Sequence, residues 1–200
     1  MKKKKIIITG GLGYIGTELC KLYSGVSWFH NIIIIDNRFI SERVNQIRNW
    51  NMEFVQGDIL DKSLIEKYFQ DADVVHHLAG ITDVPRIKSD ATQLQDEKIK
   101  KVGEEGTKNI LETITDKCKI IFPSTHVVFE GIEKIKKNIE EDEVLKPVLS
   151  YSSSKAINEK HKKAWIKTVW YNSIFFPIAE MASSVAIGLV VWYGGLNAAE

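Results

Sequence analysis

Tyr151 and Lys155 stand four residues apart in Tyr-Ser-Ser-Ser-Lys, a spacing that puts a phenol and an ammonium on one face of a helix. An adjacent cation lowers a tyrosine's pKa from its reference of about 10, so the phenol serves as acid or base closer to neutral pH. Upstream, Ser124 and Thr125 follow the run Lys119 to Phe122 and bring hydroxyls able to polarise the same substrate oxygen. Tyr-x-x-x-Lys alone is common and is often only helix surface. Its position behind a hydroxyl-bearing strand end is what makes it specific.

A second set of residues reads as a seat for a dinucleotide. Thr9-Gly10-Gly11-Leu12-Gly13-Tyr14-Ile15-Gly16 follows the apolar run Ile6-Ile7-Ile8 and opens a helical pattern. Gly10 allows a tight turn, Gly13 lets the backbone approach a pyrophosphate, and Gly16 lets helix and strand pack closely. The first helical turn, with Tyr14 and Ile15, then turns its N–H groups and positive dipole end to the anion. Alone, such a turn also occurs with no ligand. Some 20 residues on, Ile32-Ile33-Ile34-Ile35 ends in Asp36, where a carboxylate takes the ribose hydroxyls and disfavours a 2′-phosphate, so NAD is expected over NADP. Arg38 is of the type that accommodates that phosphate. The alternative for Asp36 is a solvated strand end or a helix cap.

Further strand ends add candidates. In Gly57-Asp58-Ile59, Asp58 either hydrogen-bonds the adenine amino group or caps a turn. In His76-His77-Leu78-Ala79-Gly80, the small Ala79 and Gly80 let a cofactor lie against the backbone beside Leu78. The paired histidines invite a metal reading, but neighbours on a strand point to opposite faces and no acid or cysteine cluster accompanies them. No metal site is expected.

The elements needed to position these residues alternate along the chain. Strands are expected at Lys5 to Thr9, Ile32 to Asp36, Glu53 to Gln56, Asp73 to His77 and Lys119 to Phe122. Helices are expected at Tyr14 to Ser24, Ser41 to Asn49, Lys62 to Phe69, Ala91 to Thr115 and Tyr151 to Lys167. Short buried strands between amphipathic helices imply an α/β fold, a doubly wound parallel sheet with its ligand at the carboxyl ends of the strands. The charged stretch Glu130 to Lys146 reads as a surface loop near the site.

Composition narrows the partners. With 27 basic and 26 acidic residues in 200, no global field attracts nucleic acid, and Lys2 to Lys5 reads as a solvated lead-in to the first strand. Cys20 and Cys118 are too few and too far apart for a disulfide framework or a zinc site, which fits a reducing, cytoplasmic compartment. The N-terminal apolar run is too short for a signal peptide.

Residues 1 to about 160 resemble the extended short-chain dehydrogenase/reductase family, in particular its NAD-dependent epimerase/dehydratase group acting on nucleotide sugars. The pieces that carry the resemblance are TGGLGYIG, Asp36, GDILD at Gly57 to Asp61, HHLAG at His76 to Gly80, EGTKNIL at Glu105 to Leu111, PSTHVVF at Pro123 to Phe129, and YSSSK. The resemblance implies a Rossmann domain over residues 1–157 that binds NAD. It implies that Tyr151 is the catalytic acid/base, that Lys155 binds the nicotinamide ribose and lowers the tyrosine pKa, and that Thr125, with Ser124, orients the substrate hydroxyl. Reversible hydride transfer with a nucleotide sugar would follow, and members often form homodimers through the helices at Ala91 to Thr115 and Tyr151 to Lys167.

The departures from that pattern carry information too. Where the group's dehydratases have Asp-Glu after Ser-Thr, this chain has His126-Val127, which favours epimerase or reductase chemistry over elimination of water. His126 becomes a candidate substrate contact or a plain loop residue. Gly103 replaces an asparagine that relays protons in the family, and Phe129-Glu130 replaces a tyrosine-glycine on the substrate side.

Past the Tyr151 helix the family's substrate lobe is not recognisable, so the fold is expected to be truncated, with a hydrophobic helix in a tail over residues 158–200. Ile174 to Tyr193 holds 20 residues with one charge, Glu180, and basic residues precede it, which suits a bilayer span with the enzyme-like part in the cytoplasm. A divergent core helix and strand, or a disordered tail, are the alternatives. Asn158 to Gly195 resembles a transmembrane segment of ABC-type exporters, with a junction between Ala156 and Lys162. Besides the enzyme, two readings stand: a dinucleotide-binding module without chemistry, and a membrane-anchored chimeric remnant.

Overall fold

The computed structural model describes residues 3–82, 93–129, 131 and 144–160, all within one compact unit, Met1–Lys160. Five parallel strands form the sheet: β1 (Lys5–Thr9), β2 (Asn31–Asp36), β3 (Glu53–Gln56), β4 (Val74–His77) and β5 (Lys119–Ile121). Their order is β3-β2-β1-β4-β5. The chain runs outward from β1 to β3, then returns to add β4 on the other side of β1. That reversal opens a crevice at the carboxyl ends of β1 and β4, where doubly wound sheets bind ligands.

Isoleucine runs make the central strands. Ile6 to Ile8 and Ile32 to Ile35 are buried on both faces, as a parallel sheet covered on each side requires. Ile7 sits opposite Ile33 on one side and Val75 on the other. One core face joins Ile6, Ile8, Ile32 and Ile34 to Leu12 and Cys20 of the first crossover and to Val44 and Ile47 of the second.

The helices are α1 (Tyr14–Tyr23), α2 (Ser41–Asn49), α3 (Lys62–Phe69), α4 (Gln93–Lys100) and α5 (Gly106–Thr113), with α6 over 150–160. Between α4 and α5 the helix continues through a π-turn, Lys101–Glu105, whose flanking residues keep helical dihedrals. The helix expected over Ala91 to Thr115 therefore runs through a wide turn and ends at Thr113, since Ile114 is extended, and residues 91 and 92 lie outside the described residues. Asp61 caps α3, accepting from the N–H groups of Ser63 and Leu64, whereas α1 starts at Gly13 without a side-chain cap.

Helix α6 passes without a break through residue 157, the expected domain end, and Asn158 is buried against the π-turn. Among the described residues no helix is long and apolar enough to cross a membrane. The tail from 161 onward, with the expected span 174–193, lies outside the described residues, as do 130 and 132–143 of the charged stretch.

Candidate dinucleotide and acid-base site

The glycine turn is built by close approach. Gly10 has φ +67°, and a Cβ there would lie 2.7 Å from the Ala79 backbone nitrogen. A Cβ on Gly16 would lie 2.5 Å from the Gly10 carbonyl oxygen, so α1 packs directly on the turn. Gly11, which sequence reasoning passed over, is equally constrained: its Cβ would meet the Ile34 side chain at 2.2 Å. Gly13 differs. Its Cβ would press on the Gly10 carbonyl at 3.1 Å and stand 3.9 Å from Arg38 Nη2, an exposed side chain able to move aside. The side chains of Tyr14 and Ile15 are exposed and neither residue lines the adjoining cleft; what they offer a ligand is the backbone N–H groups of a helix start.

Asp36 closes the adjoining corner. It is buried and accepts hydrogen bonds from Leu12 N–H, Arg38 N–H and the Arg38 guanidinium. Asp58 accepts from Leu60 N–H and from the Asn37 side-chain amide, both at 3.0 Å, so its turn-forming role is present. Gly10, Gly13, Asp36, Asp58, Ile59, Leu78, Ala79 and Gly80 all line one cleft of about 690 Å³. Gly16, behind the turn, supports this cleft rather than lining it.

A buried chain of polar groups fixes the far wall. Ala79 N–H donates to Thr9 Oγ1 (3.1 Å), and Thr9 Oγ1 lies 2.8 Å from His77 Nδ1. His77 Nε2 lies 2.9 Å from Thr107 Oγ1, which itself donates to the Gly103 carbonyl at 2.5 Å. Since Thr107 gives its only proton to that carbonyl, His77 must donate from Nε2 and accept from Thr9 at Nδ1. A neutral imidazole satisfies both, and burial, with Lys155 nearby, pushes the His77 pKa down to about 3. His76 points to the opposite sheet face, 2.8 Å from the Tyr23 hydroxyl. Among the described residues no group of three His, Cys, Asp or Glu is placed to hold a metal.

Helix α6 brings Tyr151 and Lys155 together as their spacing predicts. Lys155 Nζ donates to the Pro123 carbonyl at 2.9 Å and lies 5.7 Å from the centroid of the Tyr151 ring. Burial pulls its pKa down to about 8, with Glu159 acting in the opposite sense. Both residues line a small cavity of about 20 Å³ whose wall includes Ala79, Gly80 and Ile81, the residues that also line the large cleft. The dinucleotide seat thus borders the acid-base pair.

The two hydroxyls are engaged elsewhere. Ser124 Oγ donates to the Glu159 carboxylate, and Thr125 Oγ1 accepts from Val127 N–H at 3.4 Å, capping the short turn His126–Phe129. Neither borders the cavity that holds Tyr151 and Lys155. Thr9, Thr107, Asn158 and Glu159 are the site-supporting residues that sequence reasoning missed. Apart from the Thr107–Gly103 bond within one helix, their partners are 30 to 70 positions away, beyond any local pattern.

Known proteins resemble this chain in sequence and fold. The family model of the 3-beta hydroxysteroid dehydrogenase/isomerase family matches residues 7–165. A dTDP-D-glucose 4,6-dehydratase of Dictyostelium discoideum is 29% identical over 182 residues, covering 82% of this chain and 41% of its own length. A CDP-paratose 2-epimerase of Salmonella typhi is 34% identical over 146 residues, covering 67% and 40%. The crystal structure of dTDP-glucose 4,6-dehydratase from Bacillus anthracis str. Ames, in complex with NAD, superposes with a TM-score of 0.62 at 26% identity, over 82% of this chain and 51% of that one. The chain thus spans about half or less of the relatives it matches. The exporter resemblance of residues 158–195 gains no support from these matches. With its family match running over most of its length, the chain belongs to the 3-beta hydroxysteroid dehydrogenase/isomerase family of short-chain dehydrogenase/reductases, alongside the nucleotide-sugar epimerases and dehydratases.

Proposed function

We propose that the chain binds NAD and carries out reversible hydride transfer with a nucleotide sugar, as an epimerase or reductase. The observation that carries this reading is the shared wall of the two cavities: Ala79 and Gly80 border both the glycine-turn cleft and the Tyr151–Lys155 pair. The dinucleotide fits the residues present. Gly13 leaves room that a larger side chain would fill, and α1 starts there without a side-chain cap, so its first N–H groups are available to a pyrophosphate. Asp36 would take ribose hydroxyls, Asp58 and Ile59 the adenine, Leu78 to Gly80 the nicotinamide end, and Lys155 its ribose. When bound, the dinucleotide supplies a hydride acceptor or donor.

The chain's own residues handle the proton. Tyr151 takes the proton of the reacting sugar hydroxyl at its phenolic oxygen and returns it in the reverse direction. The Lys155 ammonium favours the phenolate by charge, and its partial burial strengthens that effect. With His126-Val127 after Thr125, the chain lacks the Asp-Glu pair that would serve elimination of water. Cytoplasmic location, homodimerisation and membrane contact through 174–193 belong to the same proposal.

One observation favours a second reading, a dinucleotide-binding module without turnover. Ser124 bonds Glu159 and Thr125 accepts from the Val127 N–H, so neither of these two hydroxyls borders the cavity of Tyr151 to orient a substrate. Thermal unfolding of the 200-residue chain titrated with NAD tests the shared part, since a ligand of the folded state raises the transition by mass action. A rise that is lost in Gly13→Val supports the site, and an unmoved transition refutes it. Formation of reduced dinucleotide on adding a panel of sugar nucleotides then separates enzyme from module.

A further inference from the structure

Helix α6 presents one stripe, Tyr151, Ser154, Lys155 and Asn158, to the small cavity beside Ala79 and Gly80. The four positions follow the spacing of a single helical face. Tyr151 and Lys155 carry the proton chemistry proposed above. Ser154 and Asn158 are each 3% exposed, and they meet a different element, the π-turn.

That contact centres on Gly103. A Cβ there would lie 3.1 Å from Ser154 Cβ and 3.3 Å from Ser154 Oγ, so the bare Cα lets α6 pack directly on the turn. Ser154 Oγ donates to Glu104 Oε1 at 3.3 Å. One helical turn on, Asn158 Nδ2 donates to the Gly103 carbonyl at 2.8 Å and to Thr107 Oγ1 at 3.1 Å. A carbonyl can only accept, so the amide has a single orientation. Its Oδ1 is then buried with no hydrogen-bond partner among the described residues. An apolar side chain of the same shape would avoid that cost, so stability alone does not account for the amide.

From Thr107 the polar chain continues through His77 and Thr9 to the Ala79 N–H. Hydrogen bonds thus run unbroken from the inner half of the α6 stripe to the wall that both cavities share. The outer half of the stripe moves with the inner half, because all four residues belong to one helix.

We infer that Asn158 is a positioning residue: its amide, seated with Ser154 on the π-turn at Gly103, sets where the Tyr151–Lys155 pair stands relative to the Ala79–Gly80 wall. For its catalytic consequence this rests on the function proposed above, whereas the seat itself is read without cofactor or substrate. Loss of the seat lets α6 lift from the turn, and Lys155 then leaves its burial over the Phe122 ring.

The test is the rate of amine acylation at Lys155 against pH, followed by peptide mass spectrometry in the 200-residue chain, for the parent, Asn158→Leu, Asn158→Ser and Asn109→Leu. Asn158→Leu removes both bonds and the unpaired carbonyl together, and it leaves Thr107 bonded to Gly103 and His77. Its melting temperature is therefore expected within about 4 °C of the parent. Its Lys155 inflection should move up from about 8 towards the ordinary 10.5, by at least about half a pH unit, roughly a threefold change in reactive amine at fixed pH. Asn158→Ser removes the same bonds without crowding and should give the same shift. Asn109→Leu deletes another buried amide, one that donates to the Ile59 carbonyl at 3.1 Å. It should lower the melting temperature and leave the inflection in place. Folded Asn158 variants that keep the parent inflection would overturn the inference, as would an equal shift in Asn109→Leu. If the Asn158 variants shift but NAD fails to protect Lys155 of the parent from acylation, the seat stands and the dinucleotide reading falls.

Discussion

Lys155 Nζ lies 4.1 Å from the centroid of the Phe122 ring, over its face. This places the only cation of the acid-base pair between the aromatic end of β5 and the Tyr151 ring. The contact compensates part of the cost of burying an ammonium. The remainder appears as a pKa drawn from 10.5 down to about 8.

That depression has a signed consequence for stability. Between pH 8 and 10.5 the unfolded chain binds a proton at Lys155 and the folded chain does not, so stability rises with pH across this window. Below pH 8 the native state carries the full cost. Lys155→Met is therefore expected to be about 1–2 kcal/mol more stable than the parent at pH 7, after allowance for partial solvent screening. NAD affinity should fall in the same variant. Urea unfolding at pH 7 and pH 10 checks the first point, because the gain must shrink at the higher pH.

His77 acts at the acid end. Its pKa is lowered from 6.5 to about 3, so between these values the unfolded chain binds a proton that the folded chain excludes. Stability is then lost as pH falls from 6.5 towards 3. From pH 7 to pH 4 this group alone should remove about 3 kcal/mol. His77→Gln, which keeps one donor and one acceptor, should flatten that part of the acid limb. Chemical denaturation of both proteins across this range measures the difference.

The glycines should separate fold from function. Gly10→Ala forces a side chain into φ +67° and against the Ala79 backbone at 2.7 Å, with a loss of at least about 2 kcal/mol expected. Gly13→Val has room outside the turn and should keep a cooperative transition while losing its response to NAD. Equal destabilisation of the two variants would contradict this division.

Much of this architecture is legible locally. The strands Lys5–Thr9 and Glu53–Gln56 and the helices Ser41–Asn49 and Lys62–Phe69 fall at their expected bounds, because isoleucine runs and amphipathic spacing are local signals. The π-turn at Lys101–Glu105 is not. Its Gly103 carbonyl accepts from Thr107 and from Asn158, 55 positions on, and a tertiary contact of that range leaves no periodicity. Ser124 and Thr125 show the same limit. Their types suit catalysis, but the partner of Ser124 is set by where α6 lies and Thr125 is turned to its own local turn, and Asp36 was legible as a strand-end acid while its bonds to Arg38 were not.

Glu159 offers the sharpest probe of the acid-base pair, because it holds the Ser124 hydroxyl and also raises the Lys155 pKa. Replacing Glu159 with Gln keeps an acceptor for Ser124 and removes the charge. The Lys155 pKa should then move further below about 8, since burial no longer has an opposing carboxylate. The rate of amine acylation at Lys155, followed against pH by peptide mass spectrometry, should show its inflection at lower pH in Glu159→Gln than in the parent. An unchanged inflection would mean that Glu159 serves Ser124 alone. A downward shift would tie the hydroxyl at the end of β5 to the ionisation of the lysine beside Tyr151.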